Sequence, residues 1–364
     1  MLKVANSGAV ERKTAVSQVI ESVPLLSAEW RERAVARLNC LTKPIGSLGR
    51  LEEIAIRLVQ IRQTEQPECS NKAIFTMAAD HGVTEEGVSA YPKEVTKQMV
   101  LNFLSGGAAI NVLCRQFGIA IVVVDIGVDA EPFSVGSLVE KKIGRGTRNI
   151  VRGAAMTETE AEAAFEVGID LALKAAEQGK TLIGTGEMGI GNTTAASAIT
   201  AALTGRAAAE VTGCGTGIDE KALRRKVSVV ERALTVNRPS PGDGFDVLRK
   251  VGGFEIAGLA GLVIGAASRR IPVVVDGFIS SAAAAIACAI QPRARQFLFA
   301  AHRSSEPGHQ ALLEFIGQTP ILDLQMRLGE GTGAALAMPI VESAAKLLNQ
   351  MATFASAGVS GATA

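Results

Sequence analysis

Two glutamates in this sequence lie in glycine-rich stretches, where a carboxylate can approach a ligand closely. Glu187 is part of GTGEMGIGNTT (184–194), and Glu330 is part of LGEGTG (328–333). The first six residues of GTGEMGIGNTT fit the G-x-G-x-x-G pattern that holds a dinucleotide pyrophosphate. A carboxylate beside a phosphate costs Coulomb energy, however. Either this stretch binds no phosphate, or Glu187 faces a different part of the ligand.

A monophosphate suits the first stretch better than a dinucleotide does. Glu210 has the spacing of a ribose-binding acid, but it precedes a second glycine-rich loop, TGCGTG, rather than following a strand. No G-x-x-x-x-G-K-[ST] sequence indicates a nucleoside-triphosphate loop. Backbone N–H groups, hydroxyls and a helix N-terminus can hold a phosphate dianion. Candidates for this role are Gly189, Gly191, Asn192, Thr193, Thr194 and, from further along the chain, Lys226.

Ordinary structural roles compete with these chemical ones. Glu330 could be an acid at a helix N-terminus, favoured by the helix dipole. Lys226 follows Arg224 and Arg225, a cluster that is typical of a solvated helix face. For these residues the sequence leaves both interpretations open.

The histidines and serines give weaker signals. His302 and His309 are seven residues apart, and Pro307 and Gly308 interrupt any helical face between them. We therefore expect the histidines to make structural or substrate hydrogen bonds rather than to bind a metal. The nearby serines lack the G-x-S-x-G elbow of a hydrolase.

Composition narrows the class of protein. Hydrophobic residues make up 48% of the 364 residues but aromatic residues only 4%, as expected for parallel strands covered by helices. The net charge of +1 does not indicate a nucleic-acid-binding surface. Five cysteines without C-x-x-C spacing suggest reduced thiols in the cytoplasm. We expect neither a signal peptide nor a membrane-spanning segment.

Short apolar runs alternate with longer helical patterns, which predicts a parallel α/β sheet. The predicted strands are 73–77, 119–125, 181–183, 273–275 and 296–299. The predicted helices, after a helical N-terminal region over 8–65 that is interrupted at 43–53, are 94–116, 156–178, 193–204, 219–234, 254–269, 279–290, 306–316 and 333–352.

Polar loops follow several of these strands. They include AADHGV at 78–83, DGFISS at 276–281 and AHRSSE at 301–306, besides the stretch around Glu187. In open α/β sheets, ligands bind at the carboxyl ends of the strands. The loops are distant in sequence, but the fold can bring them together as a small-molecule site.

Eight motifs in order, from about Leu41 to Ala337, closely resemble the nicotinate-nucleotide:dimethylbenzimidazole phosphoribosyltransferase family. Each motif alone is weak, but the ordered set is highly specific. They are KPIGSLGRLE, AADHGV, GEMGIGNTT, GTGID with a later lysine, GGFEIAGLAG, DGFISSAAA, HRSSEPGH and LGEGTGAALA.

The resemblance implies a homodimer with two domains in each chain. A large Rossmann-like α/β domain, with a six-stranded parallel sheet flanked by helices, is expected over 66–334. A small helical domain is expected from both chain ends, 1–65 with 335–364. The family needs no metal and no cofactor, so the expected partners are small-molecule substrates, with neither nucleic acid nor a membrane.

The resemblance also implies the reaction and the residues that act in it. The phosphoribosyl group moves from nicotinate mononucleotide to 5,6-dimethylbenzimidazole, with Glu330 as general base and Glu187 near the ribose or its developing positive charge. Nucleotide- and phosphate-binding roles fall to Gly189, Gly191, Asn192, Thr193, Gly215, Lys226, Gly277 and Ser304. Base-binding roles fall to Ser89, Tyr91 and Gln98.

Cys214 and Tyr91 leave details of ligand binding open, and two other classes of protein are alternatives. Cys214 stands where a larger, often basic residue is expected, and Tyr91 leaves the preferred base undecided. A non-catalytic nucleotide sensor is disfavoured because both Glu187 and Glu330 are present. A nicotinamide-dependent oxidoreductase is disfavoured because no acid follows a second strand.

Overall fold

A six-stranded parallel sheet forms the centre of the fold, as predicted. The structure, a computed structural model, describes residues 15–133, 136–215 and 217–360. The strands lie in the order β3-β2-β1-β4-β5-β6 and every neighbouring pair is parallel. They are β1 (Lys72–Ala79), β2 (Ala120–Gly127), β3 (Val139–Glu140), β4 (Leu182–Met188), β5 (Val273–Val275) and β6 (Leu298–Ala300).

Helices connect the strands and flank the sheet. They are α1 (described over 15–21), α2 (Ala28–Asn39), α3 (Arg50–Arg62), α4 (Glu94–Ser105), α5 (Ala109–Phe117), α6 (Glu158–Glu177), α7 (Asn192–Thr204), α8 (Ala208–Val211), α9 (Glu220–Asn237), α10 (Gly244–Val251), α11 (Phe254–Ser268), α12 (Phe278–Ile290), α13 (Gly308–Ile316), α14 (Thr332–Gln350) and α15 (Phe354–Ala357).

The central strand shows why this sequence forms a covered sheet. All eight residues of β1, KAIFTMAA, are buried, because helices shield both faces and β2 and β4 pair with its two edges. Helices α6 and α11 cross so closely that a Cβ at Gly168 would lie 1.8 Å from the Gly258 carbonyl oxygen. Glycines at this contact therefore set the spacing between α6 and α11.

Strand β4 is longer than predicted and includes Glu187. The prediction ended the strand at residue 183 and placed Glu187 in a glycine loop. In the structure Gly184 and Gly186 are strand residues, and they are glycines because neighbouring atoms crowd them. A Cβ at Gly186 would lie 2.4 Å from the carbonyl oxygen of Glu330.

The predicted helix 94–116 is two helices, α4 and α5. Gly106 ends α4 in the left-handed conformation with φ 80°, which favours glycine. A Cβ at Gly107 would lie 2.5 Å from Oδ1 of Asn102. Four further elements that the structure describes, β3, α8, α10 and α15, were not predicted; α10 begins where Asp243 accepts a hydrogen bond from the Asp246 N–H.

The two chain ends pack together. Arg37 on α2 donates hydrogen bonds to the carbonyl oxygens of Leu348 and Met351 at 3.3 and 3.0 Å. Leu41 and Thr353 form an isolated antiparallel bridge. These contacts suit a helical unit built from both ends, although the division at residues 65 and 335 stays a prediction. Within the described ranges, no helix is long and apolar enough to cross a membrane.

Candidate active site

A cavity of about 370 Å³ lies at the carboxyl edge of the sheet, beyond β1 and β4. The chain order of the strands reverses between these two strands, so this is the topological switch point where open α/β sheets bind ligands. The volume suits a nucleotide-sized molecule.

Most of the predicted site residues line this cavity. Those in its wall are Tyr91, Glu187, Gly189, Asn192, Thr193, Gly215, Gly277, Ser304 and Glu330. Five predicted residues are not in the wall: Ser89, Gln98, Gly191, Thr194 and Lys226. Further wall residues that the sequence did not single out are Val95, Met99, Met188, Ile190, Phe278, Ile279, Arg327, Leu328 and Gly329, together with His302 and Glu306 from the HRSSE motif.

Glu187 is a buried carboxyl at the end of β4. Asn192, at the start of α7, donates a side-chain hydrogen bond to its Oε2. Its Oε1 faces Gly329, where a Cβ would lie only 2.3 Å away. Burial raises the pKa of Glu187 to about 8; the Asn192 hydrogen bond opposes this rise, and the nearby carboxyls of Asp276 and Glu330 add to it. Within the motif GTGEMGIGNTT, Glu187 thus belongs to the end of β4, whereas Asn192 begins α7.

Glu330 is held by an unusual backbone. It has φ 65° and lies between Gly329 at 86° and Gly331 at 97°, and left-handed conformations at non-glycine residues are uncommon and concentrate at functional sites. Thr76 on β1 donates to the Glu330 carbonyl oxygen at 2.9 Å, and the Ile110 N–H donates to Oε2 at 3.2 Å. Burial raises the pKa of Glu330 above its ordinary value, although the Ile110 bond opposes the rise.

Asp276 supports the Glu330 loop from below. Its carboxylate accepts hydrogen bonds from the N–H groups of Gly331 at 3.2 Å and Ala334 at 2.9 Å, so it caps the first turn of α14. Its own N–H donates to Oγ1 of Thr185 on β4. The DGFISS motif was recognised in the sequence, but the loop that Asp276 holds lies more than fifty positions further along the chain, so its positioning role could not be predicted.

A second set of polar groups lies at the start of α7 and around Lys226. Thr193, in the first turn of α7, accepts a hydrogen bond from Nζ of Lys226 at 2.8 Å, and Lys226 also donates to the Gly213 carbonyl oxygen at 3.0 Å. Burial lowers the pKa of Lys226 to about 8, a fall that the charge of Glu306 opposes. Lys226 therefore stands directly behind Thr193 rather than in the cavity wall.

The sequence suggested that Arg224, Arg225 and Lys226 lie together on a solvated helix face. For Lys226 this prediction is wrong. Its relative exposure is 0%, whereas the side chain of Arg224 is 67% exposed and pairs with Glu220. The difference follows from the helical period of α9, which turns successive residues to different faces.

Two of the predicted glycines, Gly189 and Gly191, stand where the backbone leaves no place for a larger residue. A Cβ at Gly189 would lie 2.3 Å from the Ala79 carbonyl oxygen, and Gly191 has φ 93° at the start of α7. Between them, the Ile190 N–H donates to Oγ1 of Thr96 at 3.1 Å. Strand ends and α4 thus fix the backbone that leads into α7.

A buried ion pair lies under the same backbone. Nε2 of His81 and Oε1 of Glu255 are 2.6 Å apart, and both side chains are inaccessible to solvent. Burial disfavours the charged imidazolium, but the charge of Glu255 and its hydrogen bond outweigh burial and raise the pKa of His81. The His81 ring lies 3.4 Å from the Cβ position of Gly189.

The other two histidines, His302 and His309, lie close to each other near Ser304. The Ser304 N–H donates to Nδ1 of His309 at 2.8 Å, so Nε2 carries the proton and donates to Oγ of Ser281 at 2.9 Å. Burial lowers the pKa of His309 to about 3, which keeps this tautomer neutral. His302 lines the cavity. Among the described residues, no group of three or more histidines, cysteines and acids could hold a metal ion.

An apolar wall closes the side of the cavity beside α4. Val95 and Met99 are four residues apart on one face of this helix, a spacing that the sequence did show. Tyr91 is 54% exposed at the mouth, and its N–H donates to Oγ of Ser89 at 3.2 Å. Gln98 is exposed on α4. The structure thus brings Tyr91 to the cavity but leaves Ser89 and Gln98 outside its wall.

A parallel sheet with a cavity at its switch point, lined by buried carboxyls, is typical of an α/β enzyme that acts on a small molecule. Residues 23–359 match the DBI_PRT phosphoribosyltransferase family. The chain belongs to this family and is a phosphoribosyltransferase, that is, a pentosyltransferase.

Similar proteins agree over nearly the whole length. The chain is 57% identical to the nicotinate-nucleotide--dimethylbenzimidazole phosphoribosyltransferase of Geobacter metallireducens, covering 95% of this chain and 98% of the relative. It is 55% identical to the protein of that name in Chloroflexus aggregans, with the same coverage. A crystal structure of nicotinate-nucleotide-dimethylbenzimidazole phosphoribosyltransferase from Thermus thermophilus shares 46% identity and a TM-score of 0.88, covering 93% of this chain and 100% of that one.

Proposed function

We propose that this enzyme transfers the phosphoribosyl group of nicotinate mononucleotide to 5,6-dimethylbenzimidazole, forming α-ribazole 5′-phosphate and nicotinate. One observation carries the proposal: the wall of a single cavity contains both the carboxyls of Glu187 and Glu330 and, at the start of α7, the Thr193 hydroxyl that Lys226 contacts. The relatives that carry this substrate pair in their names support it.

The phosphate is assigned to the start of α7 and the loop at Gly215. The N-terminus of α7, which begins at Asn192, presents the positive end of the helix dipole, and this favours a dianion. Lys226 adds a positive charge behind Thr193, at a Nζ–Oγ1 distance of 2.8 Å. A bound phosphate would favour the protonated amine, which burial alone disfavours.

Glu187 is assigned to the ribose and its developing charge. The pyridinium of the nucleotide is positive, and the ribosyl group gains positive character as the bond to the leaving nitrogen breaks. Burial raises the pKa of Glu187 to about 8. An adjacent cation would lower that pKa again, so the carboxylate would ionise where its charge stabilises the transition state.

Glu330 is assigned as the general base. The attacking nitrogen of the benzimidazole forms a bond to the anomeric carbon with inversion, while the electron pair of the breaking bond goes to the pyridine nitrogen. The other benzimidazole nitrogen must lose its proton, which Glu330 accepts. Burial raises the pKa of Glu330 and so makes it a stronger base.

The benzimidazole is assigned to the apolar wall formed by Tyr91, Val95 and Met99. Its flat, largely apolar ring matches these side chains better than a polar ligand would. Ser89 and Gln98 lie on the same segment but outside the wall, so their proposed contacts are peripheral to those of the wall residues.

Three broader features belong to the same proposal. We assign the chain to a homodimer, as the family resemblance implies, and to the cytoplasm, which suits five free cysteines. The division into a small unit, 1–65 with 335–364, and a large unit, 66–334, is supported by the packing of α3 against α14.

An end-point assay tests the reaction. Purified protein is mixed with nicotinate mononucleotide and 5,6-dimethylbenzimidazole, and the products are separated by chromatography and identified by mass spectrometry. We expect nicotinate and α-ribazole 5′-phosphate in equal amounts. Folded protein that binds the nucleotide but forms neither product would refute this substrate pair.

A further inference from the structure

The first turn of α5 contacts the carboxylate of Glu330. The Ile110 N–H donates to Oε2 at 3.2 Å, and the Ile110 side chain is fully buried. The first four N–H groups of a helix have no partner within the helix, so this donor is available to an outside acceptor. A side-chain oxygen at the N-cap commonly accepts from such groups, but the N-cap here is Ala108, which has none. Oε2 of Glu330 therefore takes the place of a helix cap.

The two carboxylate oxygens of Glu330 have different surroundings. Oε2 accepts from Ile110, whereas Oε1 has no hydrogen-bond partner within the described ranges. Oε1 is not one of the described side-chain atoms that are both buried and unpartnered, so it keeps accessible surface. Glu330 lines the cavity, and the left-handed backbone from Gly329 to Gly331 fixes the direction in which its side chain leaves the loop. Oε1 is thus the oxygen that is open to a ligand.

Asn111 holds the turn that presents the Ile110 N–H. Its side chain is buried between the end of α4 and the start of α5. Its Oδ1 accepts from the Ala108 N–H at 3.1 Å, and its Nδ2 donates to the Phe103 carbonyl oxygen at 3.0 Å. The break at Gly106 and Gly107 creates a second helix start, and Asn111 ties that start to the helix before it. One side chain therefore sets where the donor for Oε2 lies.

We propose that Asn111 is a positioning residue for Glu330: it fixes the first turn of α5, so that the Ile110 N–H holds Oε2 and leaves Oε1 to accept the proton of the acceptor base. The N–H bond of the base breaks, its electron pair stays on the base, and the proton goes to Oε1. The inference rests on the proposed function in that Glu330 is the general base.

Few other charges act on this carboxylate. The charged groups around Glu330 are Glu187 on β4, Asp276 after β5 and Arg327 on its own loop. The first turns of α5 and α14 contain no titratable side chain. A substitution at Asn111 leaves all three charged groups in place. A change in the titration of Glu330 in such a variant therefore reports the bond from Ile110.

The pH dependence of turnover tests this inference through Asn111→Ala. The variant loses both bonds of the turn, so the Ile110 N–H is no longer held at Oε2. Loss of a donor to the charged carboxylate raises the pKa of Glu330. We expect the acid limb of the kcat–pH profile to move up by about one pH unit and kcat above that limb to fall roughly tenfold, with the KM for nicotinate mononucleotide unchanged. Glu330→Gln should lack this limb, which assigns the limb to Glu330.

A purely structural role of Asn111 predicts a different result. A smaller folded fraction lowers the apparent kcat by the same factor at every pH and leaves the limb in place, and this outcome would overturn the inference. Asn237→Ala is the matched control, because Asn237 also bonds the backbone, donating to the carbonyl oxygens of Ile150 and Ala233 at the far end of α9. We expect this control to lose stability without any movement of the limb.

Replacement of a single backbone N–H decides the case in which Asn111→Ala does not fold. The α-hydroxy analogue of isoleucine, placed at position 110 of the full chain by nonsense suppression, puts an ester oxygen where the N–H was. The helix loses no internal bond, since this N–H has no partner within it. We expect the same upward movement of the acid limb, and an unmoved limb overturns the inference. Failure of the proposed function is seen separately, as wild-type protein that forms no product or as near-normal turnover of Glu330→Gln.

Discussion

The acidic end of the site, around Glu187 and Glu330, and the proposed phosphate end, around Thr193 and Lys226, contain buried groups of opposite charge type. At the acidic end, burial raises the pKa of Glu187 to about 8. At the phosphate end, burial lowers the pKa of Lys226 to about 8. Desolvation opposes the charged form at both ends. Under the proposed function, the cationic ring and the anionic phosphate of the nucleotide would favour the charged forms of Glu187 and Lys226, respectively.

The two ends are also built differently. The acidic end depends on strained backbone, with three successive left-handed residues from Gly329 to Gly331 and the Asp276 carboxylate beneath them. The phosphate end depends on a regular helix start, where Lys226 reaches Thr193 from a second helix. We therefore expect changes at the acidic end to affect the rate, and changes at the phosphate end to affect nucleotide affinity.

The largest expected effect follows removal of the general base. Glu330→Gln keeps the size of the side chain but cannot accept the benzimidazole proton. We expect kcat to fall by roughly 10²–10⁴-fold with little change in nucleotide binding. Steady-state rates and calorimetric titration of the purified variant check this. Near-normal turnover would show that Glu330 is not the general base. It would also contradict the expectation that changes at the acidic end affect the rate.

Gly329→Ala tests whether the rate depends on the position of the Glu187 carboxylate. The new Cβ would meet Oε1 of Glu187 at 2.3 Å and would force the carboxylate aside. We expect kcat to fall by about 10²-fold, as misplacement of a catalytic group by about 1 Å can cause. Gly317→Ala is the matched control, because Gly317 has a similar φ of 68° but no atom within 4 Å of its Cβ position. Equal losses of activity in both variants would assign the effect to backbone strain alone.

Lys226→Met sharpens the account of the phosphate end. Methionine fills similar space without the charge, so we expect the KM for nicotinate mononucleotide to rise roughly 10–100-fold and the KM for the base to stay constant. Arg224→Met, two residues away and exposed, should leave both constants unchanged. A rise confined to the KM for dimethylbenzimidazole would show that the two ends are assigned the wrong way round.

Glu187→Gln tests how much burial of this carboxyl lowers the free energy of unfolding. Because the pKa of Glu187 is raised from 4.5 to about 8 in the folded state, the protein loses stability as pH rises through this interval. The variant stays neutral, so its stability relative to wild type should increase between about pH 5 and about pH 9, by about 1–3 kcal/mol. Urea unfolding at both pH values measures this.

The exposed Glu314→Gln is the control for that comparison, and no such gain is expected for it. A constant difference between wild type and Glu187→Gln at the two pH values would show that Glu187 carries no burial cost.

Periodicity and glycine patterns predicted much of the fold. The alternation of apolar runs and helical stretches indicated the parallel sheet, and most of the strands and helices match in position. The two-residue strand β3 is too short to have a pattern. The break at Gly106 and Gly107 interrupts an otherwise helical pattern, and the left-handed Gly106 is a helix-ending signal that the prediction did not use.

The motifs predicted which residues the structure brings to one cavity better than they predicted the contacts that support those residues. Glu187, Asn192 and Thr193 lie close in sequence, within one motif, and all three line the cavity; their roles stay predictions. Asp276 acts on backbone N–H groups that lie 55 and 58 residues away, and Glu306 acts on one that is 91 residues away. Such distant pairings are set by the order of the strands, which local patterns do not encode.

The claim that opposite ends of one cavity hold opposite ends of one nucleotide is tested most directly with nicotinate riboside, which lacks the phosphate. Its affinity is measured by calorimetry for wild type and for Lys226→Met, beside that of nicotinate mononucleotide. We predict that the riboside binds both proteins equally, whereas the mononucleotide binds the variant roughly 10–100-fold more weakly. Equal weakening of both ligands by Lys226→Met would contradict the assignment of the phosphate to this end.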